Sequence, residues 1–280
     1  MHIIYTLNTT PLLNGRFGIN GKEIVEKTIW MFALSIGWIN QWYTDITIYT
    51  DSLGEELLKG VPGEFNVISK SHIELWSLSK IDSIKKQIGP FCHIDGDLIM
   101  RQPVDLSTES IMCDRIEIDN FHHQYTPWLS LFNSFEEDKT IKWWEKSEAW
   151  APNCGIISIG NSSIMKTLLE STEKYTKLYW KYKNTTPKTF RQNILDPNCV
   201  VEQFGIRRGC EIGGIEIEFL TEGVNQIEQR QSNLEKGYYH YYGIEKYNNE
   251  IIKEVKRELL SLFPHIHKRI KNNLKKYKGI

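Results

Sequence analysis

A chain of 280 residues with 40% hydrophobic content is long enough to bury a substantial core, as one large α/β domain or two small ones. A formal charge of −1 argues against a dedicated nucleic-acid binder, and no apolar run reaches the roughly 18 residues of a membrane span. Five scattered cysteines without a C-x-x-C pair argue against a disulfide frame or a zinc site, and read as reduced, mostly buried thiols. The N-terminus carries no basic segment of the signal-peptide type, so a cytoplasmic chain is expected.

The first hundred residues alternate strand and helix. His2–Leu7 is a β-type run followed by a Gly/Asn-rich loop, and Glu23–Trp42 has helical length with Ile24, Thr28, Met31, Ser35 and Trp38 near one face. Residues 46–50 form a β-branched strand ending at Asp51, and residues 65–68 form a third short strand. A helix is expected from Ser71, with Glu74 at capping-box spacing, to about Ile88, where Gly89-Pro90 stops it. Strands joined by helices imply right-handed parallel crossovers and a central, mainly parallel sheet flanked by helices, an α/β fold. The second half is less regular: an aromatic-rich excursion over residues 120–150, a strand over 153–160 and a helix over 162–183. A short helix or turn follows at 200–206, then strands at 216–220 and 238–243. A helical stretch over 250–278 is interrupted at Pro264, and no linker breaks the chain. The expectation is one domain over residues 1–249 with a basic helical tail over 250–280.

The chemistry concentrates in Phe91-Cys92-His93-Ile94-Asp95-Gly96-Asp97-Leu98-Ile99-Met100. On a continuous strand Asp95 and Asp97 share a face, and Gly96 leaves room for a ligand or loosens the strand into a turn. Two like charges in an apolar run call for a partner, and a divalent cation such as Mg²⁺ or Mn²⁺ supplies one. A solvated Asp-Gly-Asp turn at a strand end is the competing reading. Ligands in such sheets gather beyond the strand C-termini, where Asn8, Asp51 and this pair fall.

Downstream, His240-Tyr241-Tyr242-Gly243-Ile244-Glu245-Lys246 spells H-x-x-G-x-x-K. Together the two motifs resemble the GT-A glycosyltransferases of the family-8 type, which includes glycogenin and galactosyltransferases. The likeness is sharp over the two motifs and loose over most of residues 1–246. It implies a GT-A (Rossmann-like) nucleotide-diphospho-sugar transferase fold. It implies Mn²⁺ (or Mg²⁺) held by Asp95, Asp97 and His240, with Gly243 giving the diphosphate close backbone approach and Lys246 contacting it. It further implies transfer of a hexose from a nucleotide-sugar, expected to be UDP-linked, to a glycan, lipid-linked or other hydroxyl acceptor, with retention of configuration.

Weaker positions follow from the same resemblance. Asn153, in Asn153-Cys154-Gly155, is placed to hydrogen-bond the donor hexose, and Glu202, in Glu202-Gln203, to orient the acceptor or steady charge at the anomeric carbon. Each has a plain alternative, a turn before a strand and an exposed helix charge. Asn8 and Asp51 meet the base and ribose or simply punctuate strand ends; Lys80 reaches the nucleotide, while Trp76 one turn away reads as core. For an inverting reaction Glu202 or Asp119 would be the base. The loop Thr9–Arg16 departs from the usual nucleotide-binding start, and Trp143, Trp144 and Trp150 offer sugar-stacking faces or core packing. The rival classes are a sugar-nucleotide nucleotidyltransferase, through the Asn14–Gly18 stretch, and a non-catalytic sugar- or nucleotide-binding protein. Residues 264–280 carry six Lys/Arg and no acid beside an apolar stripe, which suits either peripheral contact with an anionic membrane or packing on the domain with a solvated basic side.

Overall fold

The computed structural model describes residues 1–14, 19–68, 73–118, 125–135, 150–184, 197–223 and 225–279. In chain order its elements are β1 (His2–Leu7), α1 (Thr9–Leu13), α2 (Gly21–Ile39), β2 (Ile46–Thr50), α3 (Ser52–Leu58), β3 (Glu64–Val67), α4 (Ser77–Ile84), β4 (Phe91–Ile94) and β5 (Leu98–Met100). There follow β6 (Ile111–Glu117), α5 (Thr126–Phe135), β7 (Ala151–Ile159), α6 (Met165–Tyr182), α7 (Gly205–Gly213), β8 (Ile217–Phe219), α8 (Gln226–Glu235), β9 (Tyr238–His240), α9 (Asn249–Leu262) and α10 (Pro264–Lys278). Two compact units emerge, one of Met1–Lys86, Pro90–Ser107 and Asn233–Ile280, the other of Gln87–Gly89 and Thr108–Ser232.

In the first unit the strands lie in the order β3-β2-β1-β4, all parallel, with Ile3 opposite both Ile46 and Cys92. This is the expected α/β pattern of parallel strands with helical crossovers. Helix α2 starts at Asn20, whose side-chain oxygen accepts from the Lys22 amide at 2.9 Å. Fourteen of its nineteen residues are buried, which makes it a core helix covered nearly all round. Helix α4 is shorter than the expected 71–88 span, and Ser71 lies outside the described residues. Short β5 leaves the main sheet and pairs antiparallel with β9, bringing Leu98 opposite His240.

The C-terminal helices pack back onto this unit. Ile252, Val255 and Leu259 of α9 and Ile266, Ile270 and Leu274 of α10 are buried, so the apolar stripe of the tail faces inward. Glu258 on α9 accepts two hydrogen bonds from Arg101, each 2.9 Å, and one from Trp38 Nε1 at 2.7 Å. Lys268, Arg269, Lys271, Lys275 and Lys276 remain exposed on the outer side of α10. No helix among the described residues is long and apolar enough to cross a membrane.

In the second unit β6 pairs antiparallel with β7 and parallel with β8. The register with β7 shifts between Cys113 and Arg115, where three β7 residues, Cys154–Ile156, face the single Asp114, which is fully buried and bonded to Arg115 at 3.1 Å. Strand β6 is not evident from the sequence because two charges interrupt its apolar run. In the fold those charges neutralise each other. Residues 200–204 form a π-helical turn that runs into α7, a local departure carrying Glu202 and Gln203.

Candidate metal centre and donor pocket

Asp95-Gly96-Asp97 is a turn between β4 and β5, not a continuous strand, closed by the Leu98 amide donating to the Asp95 carbonyl at 3.0 Å. Side-chain alternation therefore does not align the two carboxylates; the turn does. Gly96 sits in this turn and lines the adjacent pocket, in keeping with the expectation, and packing adds a further reason for glycine. A Cβ there would stand 2.1 Å from Cδ2 of Phe32 on α2, so the residue is small to seat the turn against the core helix.

The antiparallel pairing of β5 with β9 brings the third residue in. Besides the Leu98–His240 register, the Tyr241 amide donates to the Asp97 carbonyl at 2.9 Å. One ligand atom each from Asp95, Asp97 and His240 lie within 4.8 Å of one another. Asp97 Oδ1 is buried without a well-aligned donor, and its neighbour His240 Nε2 stands 3.4 Å away. Two hard carboxylates, one imidazole and a buried oxygen lacking a donor fit a divalent cation of the Mn²⁺ or Mg²⁺ type.

Two lysines flank the carboxylates. Lys80 Nζ is 2.7 Å from Asp95 Oδ1, and Lys246 Nζ is 2.5 Å from Asp97 Oδ2. Burial alone would raise both acids. For Asp97 the Lys246 ammonium and His240 outweigh burial and hold its carboxyl well below the usual carboxylate range. For Asp95 burial prevails, with the Asp97 charge adding to it against Lys80, and its pKa is raised. The unequal environments separate two chemically identical ligands. Behind them His93 is fully buried and its ring nitrogen Nε2 lies 3.1 Å from Thr6 Oγ1. Burial and the nearby Lys80 push His93 well down, so it adds no positive charge.

A pocket opens beside this turn. Asn8, Lys80, Asp95, Asp97 and Lys246 form its polar side, and Pro11, Leu12, Met31, Phe32 and Trp76 its apolar side. Trp76, expected in the core, is only half-buried and lines this pocket. Asn8 caps α1 through the Thr10 amide and donates to Ser79 Oγ at 3.0 Å. Asp51 is differently placed: its carboxylate accepts from the Thr9, Thr10 and Gly54 amides and the Thr9 hydroxyl, and it is absent from the pocket lining. Its geometry is that of a cap joining α1 to α3. Gly243 has φ of +62° and open space around its would-be Cβ, so the backbone turn is what requires glycine there.

The second unit gathers another polar cluster around Asn153. Its Nδ2 donates to Glu117 Oε1 at 2.5 Å and its Oδ1 accepts from the Gly155 amide at 2.9 Å. Tyr125 donates to Glu117 Oε2 at 3.1 Å and also to Gln203, while Arg115 lies 3.7 Å from Glu117 Oε1. Glu202, expected to be an exposed helix charge if not functional, is 4% exposed. Sequence reasoning missed Glu117, which organises the cluster; the only cue was a carboxylate ending a segment not recognised as a strand. Asp119, Trp143, Trp144 and residues 15–18 lie outside the described residues.

The fold and site define an α/β protein with a three-residue Asp-Asp-His cluster able to hold a metal ion, at the mouth of a half-apolar pocket. The chain belongs to a family of unknown function, DUF6734, whose model matches residues 1–273. No curated protein matches it by sequence. Among solved structures, it is similar to the galactosyltransferase LgtC in complex with donor and acceptor sugar analogues, at 10% identity and TM-score 0.46 over 91% of this chain and 95% of that one. It is also similar to the apo bifunctional glycosyltransferase WbbM, at 9% identity and TM-score 0.49 over 96% of this chain and 51% of that one. A third similar structure is the inositol-1-phosphate CTP transferase from T. maritima, at 10% identity and TM-score 0.41 over 96% of each chain.

Proposed function

We propose that this chain is a metal-dependent glycosyltransferase of GT-A type that moves a hexose from a nucleotide-sugar, with UDP as the expected nucleotide, to a hydroxyl acceptor. The observation that carries the reading is the convergence of Asp95, Asp97 and His240, from a turn and a paired strand, beside a pocket rimmed by Lys80 and Lys246. A divalent cation held there supplies Lewis-acid stabilisation of the departing diphosphate. Lys246 donates to the same diphosphate, where the growing charge makes its hydrogen bond stronger in the transition state than in the ground state. Lys80 holds Asp95 in place, and Asn8 with Trp76 offers the base a polar edge and a flat face. Asn153 and Glu202 are proposed to serve the transferred sugar, with Glu117 fixing the Asn153 amide. Front-face departure and attack, with retention, is the mechanism in keeping with the motif resemblance. Glycans and lipid-linked sugars are the acceptor class proposed; any membrane contact would be electrostatic, through the exposed lysines of α10. Five free cysteines fit a reducing, cytoplasmic setting.

The test is incubation of the protein with UDP-glucose, UDP-galactose and their N-acetyl forms, with and without Mn²⁺. Slow, Mn²⁺-dependent release of UDP is expected from at least one donor. UTP formation that requires pyrophosphate would make it a nucleotidyltransferase instead, and metal-independent binding without turnover would make it a binding protein. UDP with Mn²⁺ is also expected to quench tryptophan fluorescence, and Trp76→Leu is expected to remove most of that quenching. Equal quenching in the variant would take the base away from Trp76.

A further inference from the structure

Helix α2 reaches the turn that carries Lys246 through a side chain that no motif singles out. Lys27 is 7% exposed, an uncommon place for an ammonium unless it is well satisfied. Its Nζ donates to the Tyr247 carbonyl at 2.8 Å and pairs with Glu23 Oε1 at 2.6 Å, one turn earlier on the same helix. Tyr247 closes the single 3-10 turn Glu245–Tyr247 between β9 and α9, and Lys246 is the middle residue of that turn. At the other end of the turn the Tyr239 hydroxyl donates to Glu245 Oε1 at 3.0 Å. Lys246 is thus suspended between two ties, with its own ammonium on Asp97 Oδ2.

A three-residue turn holds itself weakly, so the direction in which Lys246 projects depends on these ties. Both are charge-assisted, and the Lys27 bond is the buried one. We propose that Lys27 is a positioning residue of the donor site, fixing through the Tyr247 carbonyl the turn that presents Lys246 to the diphosphate. This rests on the reading of Lys246 as a diphosphate contact. Asp95, Asp97 and His240 are carried by β5, β9 and the turn before β5, so the Lys27 tie governs anion binding more than cation binding.

The experiment compares the full-length protein with Lys27→Met, Lys27→Arg and Glu23→Gln by thermal melting, by Mn²⁺ binding alone, and by UDP binding at saturating Mn²⁺. In Lys27→Met, UDP affinity is expected to fall about tenfold, the loss of one charge-assisted positioning bond, with Mn²⁺ affinity changed less than about twofold. Lys27→Arg keeps a donor and restores most of the UDP affinity. Glu23→Gln, at a side chain 48% exposed, gives a smaller loss of UDP affinity with an unshifted melting curve. Unchanged UDP binding in a folded Lys27→Met protein overturns the inference, as does parallel loss of Mn²⁺, UDP and melting temperature. If Lys27→Met does not fold, Glu23→Gln decides, and wild-type UDP affinity in it overturns the inference. A wild-type protein that fails to bind UDP with Mn²⁺ overturns the proposed function and this inference with it, an outcome read before any variant is made.

Discussion

Asp97→Asn is expected to abolish Mn²⁺-dependent nucleotide binding and turnover while leaving the fold intact. The substitution keeps the shape but removes the charge from an oxygen, Asp97 Oδ1, that is buried and lacks a well-aligned donor. It also strips Lys246 of its closest counter-charge, 2.5 Å away. Removing a charged ligand is expected to cost more than the roughly 10–100-fold typical of outer-shell partners, so Mn²⁺ affinity falls by at least about 100-fold. The variant is expected to fold with a lowered melting temperature, because Lys246 and His240 make the Asp97 charge net stabilising, a loss only tempered by relief of repulsion from Asp95. Calorimetric Mn²⁺ titration and far-UV circular dichroism measure the two halves separately. Full metal-dependent activity in this variant would remove the basis of the proposed function.

Arg115→Met is expected to have the largest effect on stability. Asp114 is fully buried on β6 opposite the bulge of β7, and Arg115, itself 5% exposed, bonds to it at 3.1 Å. Truncating one partner leaves a buried carboxylate short of its cation, at about 3–5 kcal/mol. Arg115 also lies 3.7 Å from Glu117 Oε1, so the loss loosens the carboxylate that orients Asn153. A chemical denaturation curve shifted to markedly lower denaturant is the expected result, with partial recovery in the double variant Arg115→Met/Asp114→Asn. An unshifted midpoint would show that the second unit does not depend on this pair.

The first two strands are legible in the sequence from their β-branched and apolar runs and helix α2 from its length and helical spacing, while the short, largely exposed β3 rests on Phe65 and Val67 alone. Strand β6 is not legible, because Asp114 and Arg115 break its run and their mutual neutralisation exists only once the strand is buried. Asp95, Asp97 and His240 are picked out by motif order, yet the reason they converge lies elsewhere. Of the two readings the sequence allows, alternation along a continuous strand and a turn at Gly96, the turn is the one formed, and a second strand pair adds His240. Gly96 illustrates the same limit: the residue that demands it is Phe32, distant in sequence. Asp51 lies at a strand end, as expected, and its carboxylate caps α1 and α3. Lys27 carried no signal, and Glu117 only its place at the end of an unrecognised strand. A Glu-x-x-x-Lys spacing on a helix ordinarily marks a solvated pair, and only tertiary packing turns Lys27 inward.

The small ladder of β5 and β9 joins segments far apart in the chain, Leu98 to His240. Its closure carries the entropic cost of a long loop, and such non-local pairings are late events in folding. During synthesis the two aspartates leave the ribosome well before the histidine does. The growing chain can form its four parallel strands β1–β4 while the two carboxylates still lack His240, and the proposed cation site is completed only once that residue has emerged.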